Sequence, residues 1–284
     1  MTIEGTFTGV DGAELFFRVL PPKTAPKAAV ILVHGHGDHS GGLRNLSKTM
    51  AENEYIVYAY DLRGHGKSSG KRGYIRSWDE FRGDLHEFRK KVEINHPQLP
   101  LYLIGHSIGG VIALDYALDY SLGLSGMIAI SPAISYEVTA IEKLGITVMG
   151  RIKPDYSFKK PGPIRFFSKN TSRAAAKFYS DGLRHNTITP GLGRGLMQAV
   201  SRVLNQAQSI RLPLLLQYGL DDKITPPAKI SHFYHQVSSQ DRQKFEYVGA
   251  KHRPFEGAGK EKFLDDMVTW LDKQVDKRHK HLYN

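Results

Sequence analysis

The stretch that decides the fold is Leu101-Tyr-Leu-Ile-Gly-His-Ser-Ile-Gly-Gly-Val-Ile-Ala-Leu-Asp-Tyr-Ala117. A short apolar run leads into Gly105-His-Ser-Ile-Gly109, and a stretch of helical character follows. In such a setting a serine stands in a strained strand-to-helix turn, where neighbours larger than glycine would clash. The amino terminus of the helix would also favour the negative charge that develops during acyl transfer. We therefore predict that Ser107 is a nucleophile.

Other short apolar runs, bounded by turn residues, lie on both sides of this stretch. They cover residues 28–33, 55–60, 101–104, 126–130, 212–218 and 245–248. Near-continuous apolar runs are typical of strands covered on both faces, as in a parallel sheet. Helical patterns at residues 78–95, 109–120 and 260–275 separate them, and residues 14–20 predict an early antiparallel strand. The alternation predicts an α/β fold with a mostly parallel, doubly wound sheet.

One segment, residues 132–210, interrupts the alternation. It has no clear strand, and prolines and several glycines separate its helical patches. A structureless loop of that length inside a compact domain is uncommon. We therefore predict that residues 132–210 form an inserted helical lid, and that residues 1–131 and 211–284 form the core of the protein.

A serine nucleophile needs a base, and the base needs a carboxylate that orients it. In a sheet of this kind the acid and the histidine follow the serine in that order, each just after a late strand. The run that ends at Gly219 leads into Asp221 and Asp222, and the run that ends at Gly249 leads into His252. These positions predict His252 as the base and one of the two adjacent aspartates as the acid.

The tetrahedral intermediate of acyl transfer also needs two backbone N–H donors. One is expected from Ile108, directly after the nucleophile. The other is expected from the loop His34-Gly-His-Gly37 after the strand at residues 28–33, with the amide of His36 as the candidate. Because the donor is a backbone group, this prediction does not depend on the His36 side chain.

The same loop supports an alternative hypothesis. His34-Gly-His-Gly-Asp-His39 spells His-x-His-x-Asp-His, the metal-ligand signature of the metallo-β-lactamase superfamily. Three histidines and an aspartate after a strand would suit two-metal hydrolysis. That superfamily places several strands before the motif and needs further ligands downstream, none of which has a persuasive setting here. A metal centre of His34, His36, Asp38 and His39 is therefore the weaker hypothesis.

The composition narrows the classes of function. With no cysteine among 284 residues, disulfides, thiolate metal sites and cysteine nucleophiles are excluded. No signal-peptide pattern and no apolar run of transmembrane length is found, so we expect a cytoplasmic location. The ending Gly66-Lys-Ser68 lacks the earlier glycine of a P-loop, since Asp61 takes that place. The basic tail Lys277-Arg-His-Lys280 has no nucleic-acid-binding motif beside it, and we expect no nucleic-acid partner.

The basic charge is concentrated in the predicted lid. Between Val138 and Ser180 there are nine basic and two acidic residues, a surplus of seven out of the chain's net +11. Apolar residues are interleaved with them, namely Ile146, Val148, Met149, Ile152, Phe158, Ile164, Phe166 and Phe167. A basic amphipathic segment of this kind can bind anionic lipid. We therefore predict peripheral binding of the lid to an anionic membrane surface, while simple covering of the core by these apolar residues is the alternative.

Five stretches together resemble the monoacylglycerol lipase and lysophospholipase branch of the α/β-hydrolases. They are His34-Gly-His-Gly-Asp-His-Ser-Gly-Gly42, Asp61-Leu-Arg-Gly-His-Gly-Lys-Ser-Ser-Gly70, Gly105-His-Ser-Ile-Gly-Gly110, Gly219-Leu-Asp-Asp-Lys-Ile224 and Lys251-His252. In that family the acid lies three residues after the glycine that ends its strand, so the resemblance implies Asp222 and not Asp221. It also implies His36 and Ile108 as oxyanion donors and a lid that guards an acyl-chain tunnel. Asp38 and His39 would brace the oxyanion loop.

The predicted function is that of a serine hydrolase that cleaves carboxylic esters of single acyl chains through an acyl-enzyme. The resemblance implies a monoacylglycerol or a lysophospholipid as the small-molecule lipid substrate, and neither a metal nor an organic cofactor. A small-ester carboxylesterase or an aminopeptidase of the same fold remains an alternative, since a fold does not assign a function. A non-catalytic binding protein is less favoured because Ser107, Asp222 and His252 are all present.

Overall fold

The apolar runs of the sequence become the strands of one eight-stranded sheet. This architecture is that of a computed structural model, which describes residues 2–135, 138–159 and 181–282. The strands of the large sheet are β1 (Ile3–Thr8), β2 (Glu14–Leu20), β3 (Ala28–Val33), β4 (Tyr55–Tyr60), β5 (Leu101–His106), β6 (Leu124–Ile130), β9 (Leu214–Gly219) and β10 (Arg242–Tyr247). The helices of the described residues are α1 (Arg44–Glu52), α2 (Asp79–Asn95), α3 (Ile108–Tyr120), α4 (Ala140–Ile152), α5 (Pro190–Asn205), α6 (Pro227–Gln236) and α7 (Lys260–Leu282).

The strand order of the sheet is β1-β2-β4-β3-β5-β6-β9-β10. The β1–β2 and β2–β4 pairs are antiparallel, and every other neighbouring pair of this sheet is parallel. The carboxyl ends of the parallel strands therefore meet along one edge, where a ligand site is expected in an open α/β sheet. The loops after β3, β5, β9 and β10 carry the predicted site residues, and all of them leave the sheet at this edge.

Helices cover both faces of the sheet, and for this reason the central strands are apolar along their whole length. All six residues of β3, of β4 and of β5 are buried. One core packs α2 and α3 against one face, with Phe81, Leu85 and Phe88 among its members. The other packs α1 and α7 against the opposite face, with Met50 and Trp270 among its members. Each large apolar side chain buried in this way contributes roughly 1.5–3 kcal/mol to stability.

The predicted doubly wound sheet is confirmed, and the differences lie at its edges. The sequence pattern did not indicate β1, because this edge strand is largely exposed and therefore carries no apolar run. Strand β10 begins at Arg242 and not at residue 245, since its place at the other edge allows polar residues in it. Helix α7 continues beyond Val275 to Leu282, through a polar stretch with no apolar stripe.

The segment between β6 and β9 is mostly helical in its described parts, but the expectation that it contains no strand was wrong. Strands β7 (Phe158–Lys159) and β8 (Thr187–Ile188) form a two-residue antiparallel ladder, too short to produce an alternating sequence pattern. Helix α5 packs against both α3 and α4. The domain boundaries at residues 131 and 211 stay a prediction.

Over residues 2–135, 138–159 and 181–282, no helix combines the length and the apolar composition that a bilayer span requires.

Candidate active site

Ser107 occupies the turn between β5 and α3 in a strained backbone conformation, with φ 56° and ψ −118°. A positive φ is costly for a residue with a side chain, and strain of this kind is characteristic of functional sites. The two flanking glycines are needed for space. A Cβ on Gly105 would lie 2.2 Å from the carbonyl oxygen of Gly109, and a Cβ on Gly109 would lie 2.3 Å from that of Val33. The Gly-x-Ser-x-Gly pattern therefore has the steric cause that the sequence suggested.

His252 and Asp222 approach Ser107 from the loops after β10 and β9. The Nε2 atom of His252 lies 3.0 Å from the Oγ atom of Ser107. Its Nδ1 atom lies 2.8 Å from Oδ2 of Asp222. The neighbouring Asp221 is exposed, and its amide donates to the carbonyl oxygen of Ala250. The structure thus brings the predicted serine, histidine and aspartate together, and of the two aspartates it is Asp222 that reaches the histidine.

Asp222 is buried and well supplied with hydrogen-bond donors. Its Oδ1 atom accepts from the amides of Ile224 (2.8 Å) and Thr225 (2.9 Å), and its Oδ2 atom accepts from the Thr225 hydroxyl (2.5 Å). Burial acts to raise the pKa of Asp222, but the hydrogen bonds from His252 and Thr225 outweigh it and hold the pKa below its ordinary value. An ionised Asp222 accepts from Nδ1–H of His252, which leaves the lone pair of Nε2 facing Ser107.

Two residues that the sequence analysis missed support His252. The Thr225 hydroxyl is fully buried and also lies 3.2 Å from Nδ1 of His252. Its position three residues after Asp222 is typical of an Asp-initiated turn, which is a signal the sequence does carry. His106 donates from Nε2 to the carbonyl oxygen of His252 at 2.9 Å. Burial lowers the pKa of His106 well below its usual range, so its ring is neutral.

The residues of the two predicted oxyanion donors are neighbours in the chain of Ser107 and of Gly35, which packs against Ser107. Ile108 is the first residue of α3, where backbone N–H groups have no partner inside the helix. Gly35 lies against the serine, since a Cβ on Gly35 would be 3.1 Å from the Cβ of Ser107. His36 follows directly in the chain. Gly37 then adopts φ +71°, and a side chain there would meet the carbonyl oxygen of His185 at 2.1 Å.

Four imidazole rings, two of them from this loop, pack against one another. The ring centroids of His36 and His65 are 5.6 Å apart, those of His36 and His185 are 5.4 Å apart, and His34 and His185 each contact His65. Burial lowers the pKa of His34 and His65, and it lowers that of His185 to about 4. These three rings are therefore uncharged near neutral pH.

The residues of the alternative metal motif have other partners. Nε2 of His34 accepts from the amide of Leu62, and Nε2 of His39 lies 2.9 Å from Oδ2 of Asp181. The carboxylate of Asp38 binds two arginines. Over the described ranges, no group of three or more histidine, aspartate or glutamate side chains is arranged to hold a metal ion. The geometry therefore provides no site for the metal-centre hypothesis within those ranges.

Comparisons with known proteins agree with this geometry. The profile of the serine aminopeptidase S33 family matches residues 24–257. The monoacylglycerol lipase of Mycolicibacterium smegmatis is 29% identical over 273 residues, which cover 94% of this chain and 96% of that protein. The monoglyceride lipase of Rattus norvegicus is 30% identical over 245 residues, covering 85% of this chain and 80% of that protein. Among solved structures, the monoacylglycerol lipase of Paleococcus ferrophilus superposes with a TM-score of 0.81 at 30% identity, over 92% of this chain and 99% of that one.

These similarities establish the family. The chain belongs to the serine aminopeptidase S33 family of α/β-hydrolases, and it is a serine ester hydrolase of the monoacylglycerol lipase type. The resemblance in the sequence is thereby confirmed.

Proposed function

We propose that this α/β-hydrolase cleaves monoacylglycerols or lysophospholipids, esters with a single acyl chain, through an acyl-enzyme on Ser107. The observation that carries the proposal is the continuous path of hydrogen-bond distances at the strained turn, 3.0 Å from Ser107 to His252 and 2.8 Å from His252 to Asp222. The relatives named as monoacylglycerol lipases support the substrate class.

In the proposed reaction His252 acts first as a base. Its Nε2 takes the proton of the Ser107 hydroxyl as Oγ attacks the ester carbonyl carbon, and the carbonyl oxygen becomes an oxyanion. The amides of His36 and Ile108 donate to that oxyanion, and the ionised Asp222 stabilises the imidazolium. When the intermediate collapses, His252 gives its proton to the departing alcohol. A water molecule then repeats the sequence on the acyl-enzyme and releases the fatty acid.

An exposed apolar stripe on α4 supports a role for the inserted segment in contacting lipid. Ile141, Leu144, Val148 and Ile152 lie at spacings of three and four residues, hence on one face of the helix. Their side chains are 44–84% exposed. A contiguous apolar patch on the solvent-exposed surface of a protein is typical of a site that binds lipid or another partner. We propose that this stripe contacts the acyl chain or the lipid surface from which the substrate is drawn.

We further propose that the inserted segment attaches the protein peripherally to anionic membranes. In the described residues Lys143, Arg151 and Lys153 accompany the apolar stripe on or next to α4. Lys160, Ile164, Arg165, Phe166, Phe167, Lys169, Arg173 and Lys177 belong to the same prediction and lie outside the described residues. Each Lys or Arg near an anionic surface contributes about 1 kcal/mol of attraction. The lid boundaries 132–210 and the cytoplasmic location are parts of this proposal that stay predictions.

A substrate panel tests the proposed function. Purified protein is assayed with 1-monoacylglycerols of increasing chain length, with lysophosphatidylcholine, with p-nitrophenyl butyrate and with an amino-acid p-nitroanilide. The proposal predicts the highest kcat/KM for a medium- or long-chain single-acyl ester, and no activity in the Ser107→Ala variant. A preference for p-nitrophenyl butyrate would instead indicate a small-ester carboxylesterase, and turnover of the anilide an aminopeptidase.

A further inference from the structure

We propose that the ion pair of Asp38 with Arg184 is a positioning contact that fixes the oxyanion loop and the His252 loop to the base of the inserted segment, beyond the bracing of the oxyanion loop by Asp38 that the family resemblance implies. The proposal rests on the roles assigned above to Ser107, His252 and the His36 amide. Asp38 lies two residues after His36, and its side chain is almost fully buried. It touches none of the reacting groups in the proposed mechanism, so its effect would be transmitted through its two arginine partners.

The first partner belongs to the His252 loop. Nη1 of Arg253, the residue after His252, lies 2.6 Å from Oδ2 of Asp38. Nη2 of the same guanidinium donates to the carbonyl oxygen of Gly42 at 2.7 Å and contacts Glu256. The Arg253 side chain thus contacts the loop that begins at His34 at two residues, Asp38 and Gly42. Arg253 directly follows His252 in the chain. The relative position of the base and the oxyanion donor is set through this pair.

The second partner belongs to the base of the inserted segment. Nε of Arg184 lies 2.7 Å from Oδ1 of Asp38, so the two oxygens of this carboxylate face two different guanidinium groups. Two neighbouring contacts join the same pair of segments. Asp181 lies 2.9 Å from Nε2 of His39, and the amide of His185 donates to the carbonyl oxygen of Gly37 at 3.0 Å. The chain between Asp181 and His185 is therefore fastened along the oxyanion loop.

Gly42 shows that the loop is shaped around this carboxylate. A Cβ on Gly42 would lie 2.0 Å from Oδ1 of Asp38, closer than any real contact. A side chain at this position would push the Asp38 carboxylate away from its arginines. The residue type at position 42 is thus explained by the ion pair, because the loop must leave room for the carboxylate and supply a carbonyl oxygen to Arg253.

The two arginines beside Asp38 keep its buried carboxylate ionised. Burial acts to raise the pKa of Asp38, but the charges of Arg253 and Arg184 outweigh it and hold the pKa far below its ordinary range. The carboxylate is therefore ionised at neutral pH. A buried charge that loses one partner is poorly compensated, so the loop is expected to move when either arginine is removed. A displacement of about 1 Å at such a site can cost roughly 100-fold in rate.

The chain offers a matched control for the branch through Arg184. Arg202 also comes from the segment after β6, lies on α5, and binds a buried aspartate, with Nη1 2.8 Å from Oδ1 of Asp115. Asp115 belongs to the carboxyl-terminal half of α3. In the contacts described it touches neither the oxyanion loop nor the His252 loop. Arg184→Gln and Arg202→Gln therefore break comparable ion pairs, and only the first reaches Asp38.

The experiment compares these two variants with wild-type protein and with Arg184→Lys. Three quantities are measured: kcat and KM for p-nitrophenyl butyrate, the rate constant of inactivation by a fluorophosphonate, and Tm. We expect Arg184→Gln to lower kcat and the inactivation rate together by roughly 10-fold while KM changes less than about twofold. Arg202→Gln should keep both rates within about twofold of wild type although its Tm falls, and Arg184→Lys should recover part of the loss.

Two results would overturn the proposal. One is wild-type kcat and inactivation rate in Arg184→Gln. The other is an equal loss in Arg202→Gln, which would mean that any weakening of the inserted segment has this effect. Asp38→Asn and Gly42→Ala extend the test if they fold. Labelling of wild-type protein at Ser107 is scored separately, so a failure of the proposed nucleophile is distinguished from a failure of the Asp38–Arg184 ion pair as a positioning contact.

Discussion

The carboxyl edge of the sheet and the inserted segment differ in the surroundings of their side chains. At the sheet edge the Asp222 carboxylate has defined partners, since it accepts from Ile224, Thr225 and His252. In the inserted segment, α4 presents large apolar side chains to solvent, with Ile141 84% exposed. We propose that this difference reflects a division of labour, in which the sheet edge performs the chemistry and the inserted segment contacts the lipid.

The largest effect is expected from Asp222→Asn. The amide would present a donor to His252 or stabilise the wrong tautomer, and the loss of an aspartate in this role costs about 10⁴-fold in kcat. The control is Asp221→Asn one residue earlier, where the side chain is exposed and turnover should stay near the wild-type value. Steady-state kinetics on p-nitrophenyl butyrate measures both. Equal losses of kcat in the two variants would contradict the assignment of Asp222 as the residue that orients His252.

A smaller effect is expected from Thr225→Val, which removes a hydroxyl and keeps the shape of the side chain. Asp222 would lose its 2.5 Å hydrogen bond, and a buried carboxylate with one donor fewer orients His252 less well. We expect kcat to fall roughly 10-fold with little change in KM. The hydrogen bond from Thr225 lowers the pKa of Asp222, so the pKa of Asp222 should be higher in this variant than in the wild type. An unchanged kcat would show that the two backbone amides suffice.

On the side of the inserted segment, turnover of a soluble ester should hardly change while membrane binding does. Lys159, Lys160 and Arg165 replaced by glutamate should weaken binding to vesicles that contain anionic lipid. Ile141→Ser with Ile152→Ser should weaken binding to neutral and anionic vesicles alike. Salt should reduce the wild-type affinity for anionic vesicles, because it shortens the Debye length. Sedimentation with vesicles measures binding, and p-nitrophenyl butyrate measures turnover.

The control replaces three exposed lysines elsewhere on the core, Lys48, Lys90 and Lys273, by glutamate, which makes the same change in net charge. If this control loses as much vesicle affinity as the lid variant, the attraction belongs to the overall charge and not to the inserted segment. Equal wild-type binding to neutral and anionic vesicles, or none to either, would leave the segment as a cover of the core.

The smallest effect, none at all, is expected from metal removal. His34, His39 and Asp38 are engaged by Leu62, Asp181 and two arginines, so their side chains do not face a common point. Activity should therefore survive exhaustive dialysis against EDTA, as followed by ester hydrolysis. Loss of activity that zinc restores would return the metal-centre hypothesis to first place.

The sequence predicted the sheet and the strained turn at Ser107 because most of their signals are local. Strands β3 and β4 are continuous apolar runs, and the need for glycine at position 105 arises from the nearby carbonyl oxygen of Gly109, whereas the need for glycine at position 109 arises from the distant Val33. Edge strand β1 and the two-residue strands β7 and β8 escaped, since exposure and shortness leave no periodic pattern.

The support of the site was harder to predict because it comes from distant parts of the chain. Asp38 and Arg253 are 215 residues apart, and Asp38 and Arg184 are 146 apart. Nothing in the local sequence distinguishes these arginines from others on the surface. The choice between Asp221 and Asp222 was likewise open from the residues alone, since both follow the same strand and only the fold decides which one points inward.

The proposed mechanism requires that Ser107 is the group that becomes acylated. The direct measurement is the intact mass of the protein after reaction with a fluorophosphonate, followed by peptide mapping of the modified residue. We predict one adduct per chain, on the peptide that contains Ser107, absent in Ser107→Ala and formed far more slowly in Asp222→Asn. An adduct on another residue, or equal labelling of the Ser107→Ala variant, would contradict the proposed mechanism.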